Sequence, residues 1–295
     1  MKKILIVLLA VGLLSLLVSP VALAKPDKDR PLPASNVELV KKVTIKGPKA
    51  SGGKPVKQSA TGVLGASCSG AKYAVVVGIS DYPGSANDLV YADDDALDVF
   101  TALTTLYGYD STNIALLTNL SATFDAIQAA ISDIKRKASS DDEVVFFFSG
   151  HGARGIADDG DKEKIDEAIV THDGIKLVYI WDGQLKNWFS GFATSRIIFI
   201  FDSCLAGGMT DLEASGRVIS MATTETGVAY EGDAWLNGQF TYYFVDEGML
   251  QGFADKYDSI PGTDVTVEEA FDYAKANCQK QAPTVSDSFG NDLLP

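Results

Sequence analysis

R-I-I-F-I-F-D-S-C-L-A-G-G, residues Arg196–Gly208, is the stretch that best indicates the fold. Its apolar run, Ile197–Phe201, has the continuous hydrophobicity of a strand that is buried on both faces of a parallel sheet. The run ends at Asp202, Ser203 and Cys204, and a Gly-containing turn follows. We therefore expect a buried strand to carry a reactive thiol to one edge of a sheet.

A second stretch has the same organisation. The apolar strand Glu143–Phe148 runs directly into Ser149–Gly152, which reads S-G-H-G. Because the carboxyl ends of parallel strands meet at one sheet edge, His151 and Cys204 are expected to lie close together. A thiolate can attack a carbonyl carbon when an imidazole handles the proton and backbone N–H groups stabilise the oxyanion. The two stretches therefore predict a Cys/His hydrolase site.

Strands and amphipathic helices alternate along the rest of the body, as the hydrophobic spacing shows. This alternation predicts an α/β fold with a mostly parallel sheet flanked by helices on both faces. Segments 155–167 and 223–237 have no regular spacing and are predicted to be irregular. The predicted strands are 71–79, 113–118, 143–148, 168–171, 175–180, 197–201 and 217–222, and the predicted helices are 88–107, 123–137, 182–190, 239–251 and 267–279.

The chain divides into three parts. Residues 1–24 have the two lysines, the short apolar run and the A-L-A end of a secretory signal peptide, so the protein is expected to be secreted. Retention at the cell surface through an uncleaved anchor is the alternative. Residues 25–70, hereafter the arm, are rich in Pro, Gly, Ser and Lys and are predicted to be flexible apart from a strand-like run at 37–45. Residues 71–295 form the expected catalytic domain.

The charge is strongly acidic and unevenly distributed. The net charge of −14 becomes −16 when Lys2 and Lys3 leave with the signal peptide. Residues 25–57 hold nine basic and three acidic side chains, a balance of +6, whereas 58–295 hold fourteen and thirty-six, a balance of −22. An acidic body argues against nucleic acid as a partner and suits basic substrates or divalent cations. No membrane association is expected after the signal is removed.

Three cysteines are an odd number for a secreted protein, so at least one thiol is expected to be free or to pair between chains. If Cys204 is the free one, Cys68 and Cys278 either form a disulfide or are buried as small apolar residues. The second histidine, His172, lies in a predicted hairpin and is expected to face solvent.

The S-G-H-G and D-S-C motifs, with His151 and Cys204 53 residues apart, resemble those of the caspase-like cysteine peptidases over roughly 71–279. The sequence is most similar to the metacaspase branch, and among these to the prokaryotic metacaspases, or orthocaspases. The resemblance implies a cysteine endopeptidase with Cys204 as nucleophile and His151 as general acid/base. The amides of Gly152 and Cys204 would form the oxyanion hole. No cofactor is expected for the chemistry itself.

The resemblance also implies a substrate class and a metal. Metacaspases have an acidic pocket and cleave after Arg or Lys, and the matching residues here are Asp95 and Asp202. Protein or peptide substrates with basic residues are therefore the expected partners. Calcium commonly activates this branch, and the matching acids are Asp166, Asp182 and Asp211. Gly183 stands where many relatives have a second acid, and the acidic run 158–163 is predicted to be a solvated loop rather than a separate ion site.

A basic arm beside an acidic pocket predicts an inhibitory pro-segment. Lys46, Lys49, Lys54 or Lys57 would occupy the pocket and be cut.

Two other interpretations of the motifs remain open. One is a secreted binding protein with the same fold and an unused Cys/His pair. The other is a relative that cleaves after Asn or Asp. Arg154 and Arg217 are the basic residues closest in sequence to the Cys/His pair, and either one in the pocket would favour an acidic preference.

Overall fold

A computed structural model describes residues 27–46, 53–160, 162–256 and 264–295. The predicted signal peptide and Lys49 lie outside these described residues. Within the described part of the chain, no helix combines the length and hydrophobicity needed to cross a membrane.

The regular elements alternate along the chain. The strands are β1 (Ala34–Val40), β2 (Val43–Ile45), β3 (Lys72–Gly78), β4 (Ile114–Thr118), β5 (Glu143–Ser149), β6 (Gly152–Ala157), β7 (Asp166–His172), β8 (Leu177–Trp181), β9 (Ile197–Asp202), β10 (Arg217–Met221), β11 (Tyr230–Gly232), β12 (Asn237–Gly238) and β13 (Thr284–Asp287). The helices are α1 (Ala92–Thr105), α2 (Phe124–Lys137), α3 (Asp182–Phe189), α4 (Gln239–Thr241), which continues as a π-helix (Tyr242–Leu250), and α5 (Val267–Asn277).

A six-stranded sheet in the order β13-β10-β9-β5-β3-β4 forms the centre of the fold. All neighbouring pairs are parallel except β10 with β13. Alternate residues of β3 belong to different hydrophobic clusters. Val75 and Val77 lie in one cluster with residues of α2 and α3, and Ala74 and Val76 lie in another with residues of α1 and α5. Helices therefore cover both faces of the sheet, and the predicted α/β architecture is confirmed.

The strand order determines where a site can form. The chain goes from β3 to its neighbour β4 and then crosses back to β5 on the other side of β3, so the direction of winding reverses between β3 and β5. In open α/β sheets, ligands bind at the carboxyl ends of the strands beside such a reversal. The loops after β5 and β9 carry His151 and Cys204 at this edge.

Several short elements differ from the sequence expectation. The run at 37–45 belongs to two strands, β1 and β2. The segments predicted to be irregular contain β11 and overlap β6 and β12. These strands belong to a four-stranded sheet, β1-β6-β7-β8, and a three-stranded sheet, β12-β11-β2. Their short sequences have little periodicity, because pairing with distant segments rather than an apolar face of their own determines their structure.

The described part of the arm is bound along the body. β1 pairs antiparallel with β6, and β2 pairs parallel with β11. Further along, Asp272 accepts hydrogen bonds from the backbone N–H groups of Ser59 and Ala60 at 2.6 and 2.9 Å. Asp292 accepts from the N–H groups of Thr61 and Gly62, both at 2.7 Å. The arm was predicted to be flexible. In the structure, however, backbone groups in its described part form hydrogen bonds with β6, with β11 and with the carboxylates of Asp272 and Asp292.

Candidate active site

Glycine brings the two motif loops into direct contact. A Cβ at position 152 would collide with the carbonyl oxygen of Cys204, so only glycine lets the loop after β5 approach the nucleophile turn this closely. The carbonyl of His151 accepts a hydrogen bond from Val170 N–H at 3.1 Å, which connects the loop to β7. The predicted pair, His151 and Cys204, and the predicted oxyanion residue Gly152 are thus together at one sheet edge.

The turn after Cys204 has an unusual backbone conformation. Leu205 has φ of +60°, in the left-handed region that residues with a branched side chain seldom adopt. Its N–H donates to the carbonyl of Gly227 at 2.9 Å, and the next N–H, of Ala206, donates to Thr223 Oγ1 at 3.1 Å. These bonds hold the chain in a sharp turn that positions the thiol at the end of β9.

Both ring nitrogens of His151 have partners. The Lys42 N–H donates to Nδ1 at 3.1 Å, so Nδ1 carries no proton, and Nε2–H therefore donates to the carbonyl of Asn87 at 2.8 Å. The ring stacks on Tyr82, with centroids 4.9 Å apart. The Tyr82 hydroxyl also accepts from the His151 N–H at 3.1 Å. Tyr82 and Asn87 thus orient the imidazole so that Nδ1 is the basic nitrogen.

The protonation of the pair corresponds to a resting state. Burial lowers the pKa of His151 to about 4, because the charged imidazolium is disfavoured there. Burial also raises the pKa of the Cys204 thiol to about 11, although its sulfur accepts the Ala229 N–H at 3.2 Å. At neutral pH the site therefore holds a neutral imidazole and a protonated thiol, and Cys204 is only 1% exposed.

Two buried carboxylates form an acidic pocket beside the pair, and a lysine of the arm fills it. Lys42 Nζ lies 3.0 Å from Asp202 Oδ1 and 3.4 Å from Asp95 Oδ2, and the side chains of all three residues are 0% exposed. The ammonium also donates to Ser149 Oγ at 3.0 Å, and that hydroxyl donates to Asp95 at 2.6 Å. The pocket therefore binds a primary ammonium through two charges and a hydroxyl.

The carboxylates of this acidic pocket are positioned by backbone and hydroxyl donors. Asp202 Oδ2 accepts from the N–H and hydroxyl of Thr241 at 3.0 and 2.8 Å, and Asp95 Oδ1 accepts from Gly238 N–H at 2.7 Å. Burial raises the pKa of Asp95, the Lys42 ammonium opposes this rise, and the charge of Asp202 adds to it. Burial by itself would lower the pKa of Lys42, but the facing carboxylates outweigh it and raise that pKa above its ordinary value. The two acids are thus arranged to bind a cation.

Three buried carboxylates gather at a second place, between β6, β7 and α3. Asp159, Asp166 and Asp182, hereafter the carboxylate cluster, each have an oxygen within 4.8 Å of the others. Asp211, the third acid predicted to bind calcium, is not in this group among the described residues, and its carboxylate pairs with Lys186 at 3.1 Å. The structure thus brings Asp166 and Asp182 together with Asp159, whereas Asp211 pairs with Lys186.

The caspase-domain family model matches residues 71–293, which include both motifs, the acidic pocket and the carboxylate cluster. The chain belongs to the caspase-domain family. The resemblance to caspase-like cysteine peptidases that the motifs predict is thereby confirmed.

The caspase domain is similar in sequence to several metacaspases. Over 195 residues it is 31% identical to metacaspase-1 of Cryptococcus neoformans var. neoformans serotype D (strain JEC21), covering 63% of this chain and 42% of that protein. Over 148 residues it is 31% identical to metacaspase-4 of Arabidopsis thaliana, covering 48% and 34%. The chain thus spans less than half the length of these relatives. They are fungal and plant proteins, so a place among prokaryotic metacaspases stays a prediction.

A crystal structure of a protein from Geobacter sulfurreducens has a similar fold. Its TM-score is 0.55 at 15% identity, with 76% of this chain and 95% of that chain covered. At this identity, the likeness concerns the fold alone.

Other residues predicted from the sequence lie away from the pocket of the caspase domain. Arg154 pairs with Glu38 at 2.7 Å on the surface, and Arg217 donates to the carbonyls of Leu212 and Phe189. Neither arginine is among the groups that contact Asp95 and Asp202. The pocket observed in the structure is therefore acidic.

The structure corrects two sequence expectations, for His172 and for the lysine in the pocket, and decides one open alternative, for Cys68 and Cys278. His172 does not face solvent: it is 0% exposed, accepts from Gly174 N–H at 3.0 Å and contacts the carbonyl of Asn119 through Nε2. Of the two alternatives left open for Cys68 and Cys278, the structure shows free thiols, half-buried and buried respectively, and not a disulfide. The lysine in the pocket is Lys42 rather than one of the four predicted, because the gap between β1 and β2 lies directly over the site. Of those four, Lys46 and Lys57 are exposed, and Lys54 donates to the carbonyl of Cys278 at 3.1 Å.

Sequence reasoning missed several residues of the site. Lys42, Tyr82 and Asn87 contact His151, yet no motif includes them. Asp159 belongs to the acidic run that was predicted to be a solvated loop, but it is 1% exposed. The best available signal was Gly183, since a Cβ there would lie 2.7 Å from Asp159 Cγ. Asp159 therefore occupies the space where a second acid at 183 would extend.

Proposed function

We propose that this protein is a cysteine endopeptidase that cleaves peptide bonds after Arg or Lys. The observation that carries the proposal is the Lys42 ammonium between Asp95 and Asp202, beside His151 and Cys204. A buried carboxylate pair binds an ammonium as a point charge and offers a guanidinium parallel hydrogen bonds. The same two carboxylates would repel an acidic substrate side chain. A neutral substrate side chain would leave both of their buried charges without a partner.

The chemistry follows from the groups at the sheet edge. Once Lys42 is displaced, Nδ1 of His151 takes the proton of Cys204, and the thiolate attacks the carbonyl carbon after the bound basic residue. The backbone N–H groups of Gly152 and Cys204 stabilise the oxyanion. The imidazolium then gives its proton to the leaving amine, and water hydrolyses the thioester with His151 as base. Asn87 and Tyr82 keep the imidazole in the required tautomer and orientation.

Fluorogenic peptides that end in Arg, Lys, Asn or Asp test this proposal, each with calcium or with a chelator. We expect cleavage of the Arg and Lys peptides only, and its loss in the Cys204→Ala variant. Preferential cleavage after Asn or Asp would refute the pocket assignment but leave the catalytic pair intact. No cleavage of any peptide by the wild type or by a Lys42→Ala variant, in which the pocket is empty, would favour a binding protein.

We further propose that calcium binds the carboxylate cluster. Hard carboxylate oxygens are the ligands that calcium prefers, and Asp159, Asp166 and Asp182 supply them in buried positions. A bound ion would neutralise their mutual repulsion and fix the loop after β6 against α3. The carbonyl of Asp159 accepts from Lys28 Nζ, and the Lys28 carbonyl accepts from Trp188 Nε1 at 2.9 Å. Ion binding would therefore also act on the start of the arm.

Thermal unfolding of the Cys204→Ala protein tests calcium binding without depending on activity. Calcium at about 100 times its Kd should stabilise the fold by about 2.7 kcal/mol, a rise in Tm of about 5 °C or more. Asp159→Asn and Asp166→Asn should each remove most of this rise. Asp158→Asn changes the exposed neighbour and should preserve it. An equal rise in all variants would exclude the cluster as the binding site.

Secretion and self-processing complete the proposal. Residues 1–24 would be removed on export, and peptidase molecules would then cut the arm of other molecules at exposed lysines such as Lys46 or Lys57. Mass spectrometry of wild-type and Cys204→Ala protein from the culture medium tests both steps. A mature N-terminus at Lys25 in the variant and a shorter chain in the wild type are expected. Identical N-termini in both would exclude self-processing.

A further inference from the structure

We infer that Lys42 blocks the active site as an occupant that cannot be cut, because the arm crosses the site in the wrong direction for cleavage on either side of Lys42. This inference concerns the regulation of the proposed peptidase and rests on its proposed pocket. It is carried by the positions of two backbone nitrogens, those of Lys42 and Val43.

Cleavage after Lys42 has two geometric requirements. The side chain of Lys42 must occupy the acidic pocket while the thiolate of Cys204 bonds to the Lys42 carbonyl carbon. The bond that breaks then joins this carbon to the nitrogen of Val43, which leaves with a proton from His151. The nitrogen beside the imidazole should therefore be that of Val43.

The structure places the other nitrogen there. The Lys42 N–H donates to His151 Nδ1 at 3.1 Å, whereas the Val43 N–H donates to the carbonyl of Ala229 at 3.0 Å. From Val43 onward β2 continues in parallel with β11, with Val43 opposite Tyr230. The pairing of β2 with β11 holds the Val43 nitrogen, which belongs to the bond after Lys42, at the carbonyl of Ala229. The Val43 nitrogen therefore cannot receive from His151 the proton that cleavage requires.

The neighbouring bond fails for the opposite reason. The nitrogen at His151 belongs to the bond between Lys41 and Lys42, and cleavage of that bond would need the side chain of Lys41 in the pocket. Lys41 is instead exposed, and its Nζ donates to the carbonyl of Ala86 at 2.5 Å. Neither bond combines a basic side chain in the pocket with a leaving nitrogen at the imidazole.

The same residue also disables the base. Nδ1 of His151 has one lone pair, and the Lys42 N–H occupies it, so the imidazole cannot accept the thiol proton. Lys42 therefore blocks substrate binding with its side chain and proton transfer with its backbone. Activation requires that residues 41–45 leave the site, either by displacement or after a cut at a bond outside them.

The test compares the wild type, Cys204→Ala, Lys42→Ala and, as control, Arg30→Ala, which removes an exposed positive charge of the arm. Intact-mass spectra are recorded before and after incubation with calcium, together with initial rates on Arg and Lys peptides. We expect no Cys204-dependent fragment that ends at Lys41 or Lys42. Lys42→Ala keeps the backbone N–H but removes the ion pairs that hold residues 41–45 in the site, so these residues should leave it more readily. The variant should therefore raise the initial rate of unprocessed protein by about tenfold or more, and Arg30→Ala should leave the rate unchanged.

A fragment that ends at Lys42 in the wild type but not in Cys204→Ala would overturn the inference and leave the proposed function standing. This measurement needs no substitution at Lys42. A second result would also overturn the inference. It is a folded, unprocessed Lys42→Ala protein that cleaves peptides no faster than unprocessed wild type, although processed wild type cleaves the same peptides. Alkylation of Cys204 by iodoacetamide separates the two proposals: faster alkylation in Lys42→Ala without cleavage of any peptide would support the block and refute the peptidase.

Discussion

Asp202→Asn is the substitution that tests the acidic pocket most directly. The amide keeps an oxygen that can accept the two hydrogen bonds from Thr241, but its NH2 group would face the incoming cation. In the structure, Asp202 Oδ1 and Lys42 Nζ are 3.0 Å apart, and both side chains are 0% exposed. Removing one partner of such a buried pair costs about 3–5 kcal/mol. At about 1.4 kcal/mol per factor of ten, kcat/KM should fall by a factor of about 10² to about 4 × 10³.

The assay measures kcat/KM on Arg and Lys peptides in the Lys42→Ala background, so that the arm's own lysine does not compete. The control is Asp133→Asn, which removes a carboxylate from an exposed helical ion pair with Arg136 and should have little effect. If Asp202→Asn retains kcat/KM within about twofold, the basic side chain of the substrate binds elsewhere and Lys42 does not mark its pocket.

Three further predictions concern stability and reactivity. Burial lowers the pKa of His151 from 6.5 to about 4, so between these pH values the unfolded chain binds more protons than the folded one. Acidification from pH 7 to pH 4 should therefore lower the free energy of unfolding of the wild type by about 3 kcal/mol more than that of His151→Gln. An equal loss in the two proteins would contradict this prediction. The pKa of the Cys204 thiol is raised from 9.0 to about 11, so its alkylation at pH 8 should be about 100-fold slower than that of free cysteine. Peptide mapping measures the alkylation rate of Cys204. Equal rates would contradict the burial of the thiol. Asp292→Ala removes the acceptor of three hydrogen bonds from Thr61 and Gly62 and should lower the free energy of unfolding by about 3 kcal/mol. The control, Asp81→Ala at an exposed position, should change it little. Equal losses in denaturant unfolding would show that Asp292 does not anchor the arm to the body.

The central sheet could be predicted from the sequence because its strands are buried on both faces. A continuous apolar run such as Ile197–Phe201 that ends in small polar residues is typical of a buried parallel strand. The same property placed His151 and Cys204 at one edge, since parallel neighbours end together. Asp95 and Asp202 came from the resemblance to metacaspases rather than from any spacing in the chain.

The parts that sequence reasoning missed depend on pairing between distant segments. Lys42 has its role because β1 and β2 pair with β6 and β11, and nothing local to Lys42 encodes that register. Asn87 contributes only a backbone carbonyl, which leaves no trace in residue type. His172 was expected to face solvent because hairpin ends usually do, but contacts with Asn119 and Gly174 satisfy both of its ring nitrogens in a buried position.

The lysine between Asp95 and Asp202 links two properties that could otherwise change separately. Under the proposed function, the acids that select a substrate are also the ones that bind Lys42, so a substitution that alters substrate preference would also alter how firmly the arm is bound. A variant selected for a neutral or acidic cleavage site would lose its latency in the same step. Under the proposed block, a change of substrate preference at these acids would need a compensating change at position 42 to keep the protein inactive.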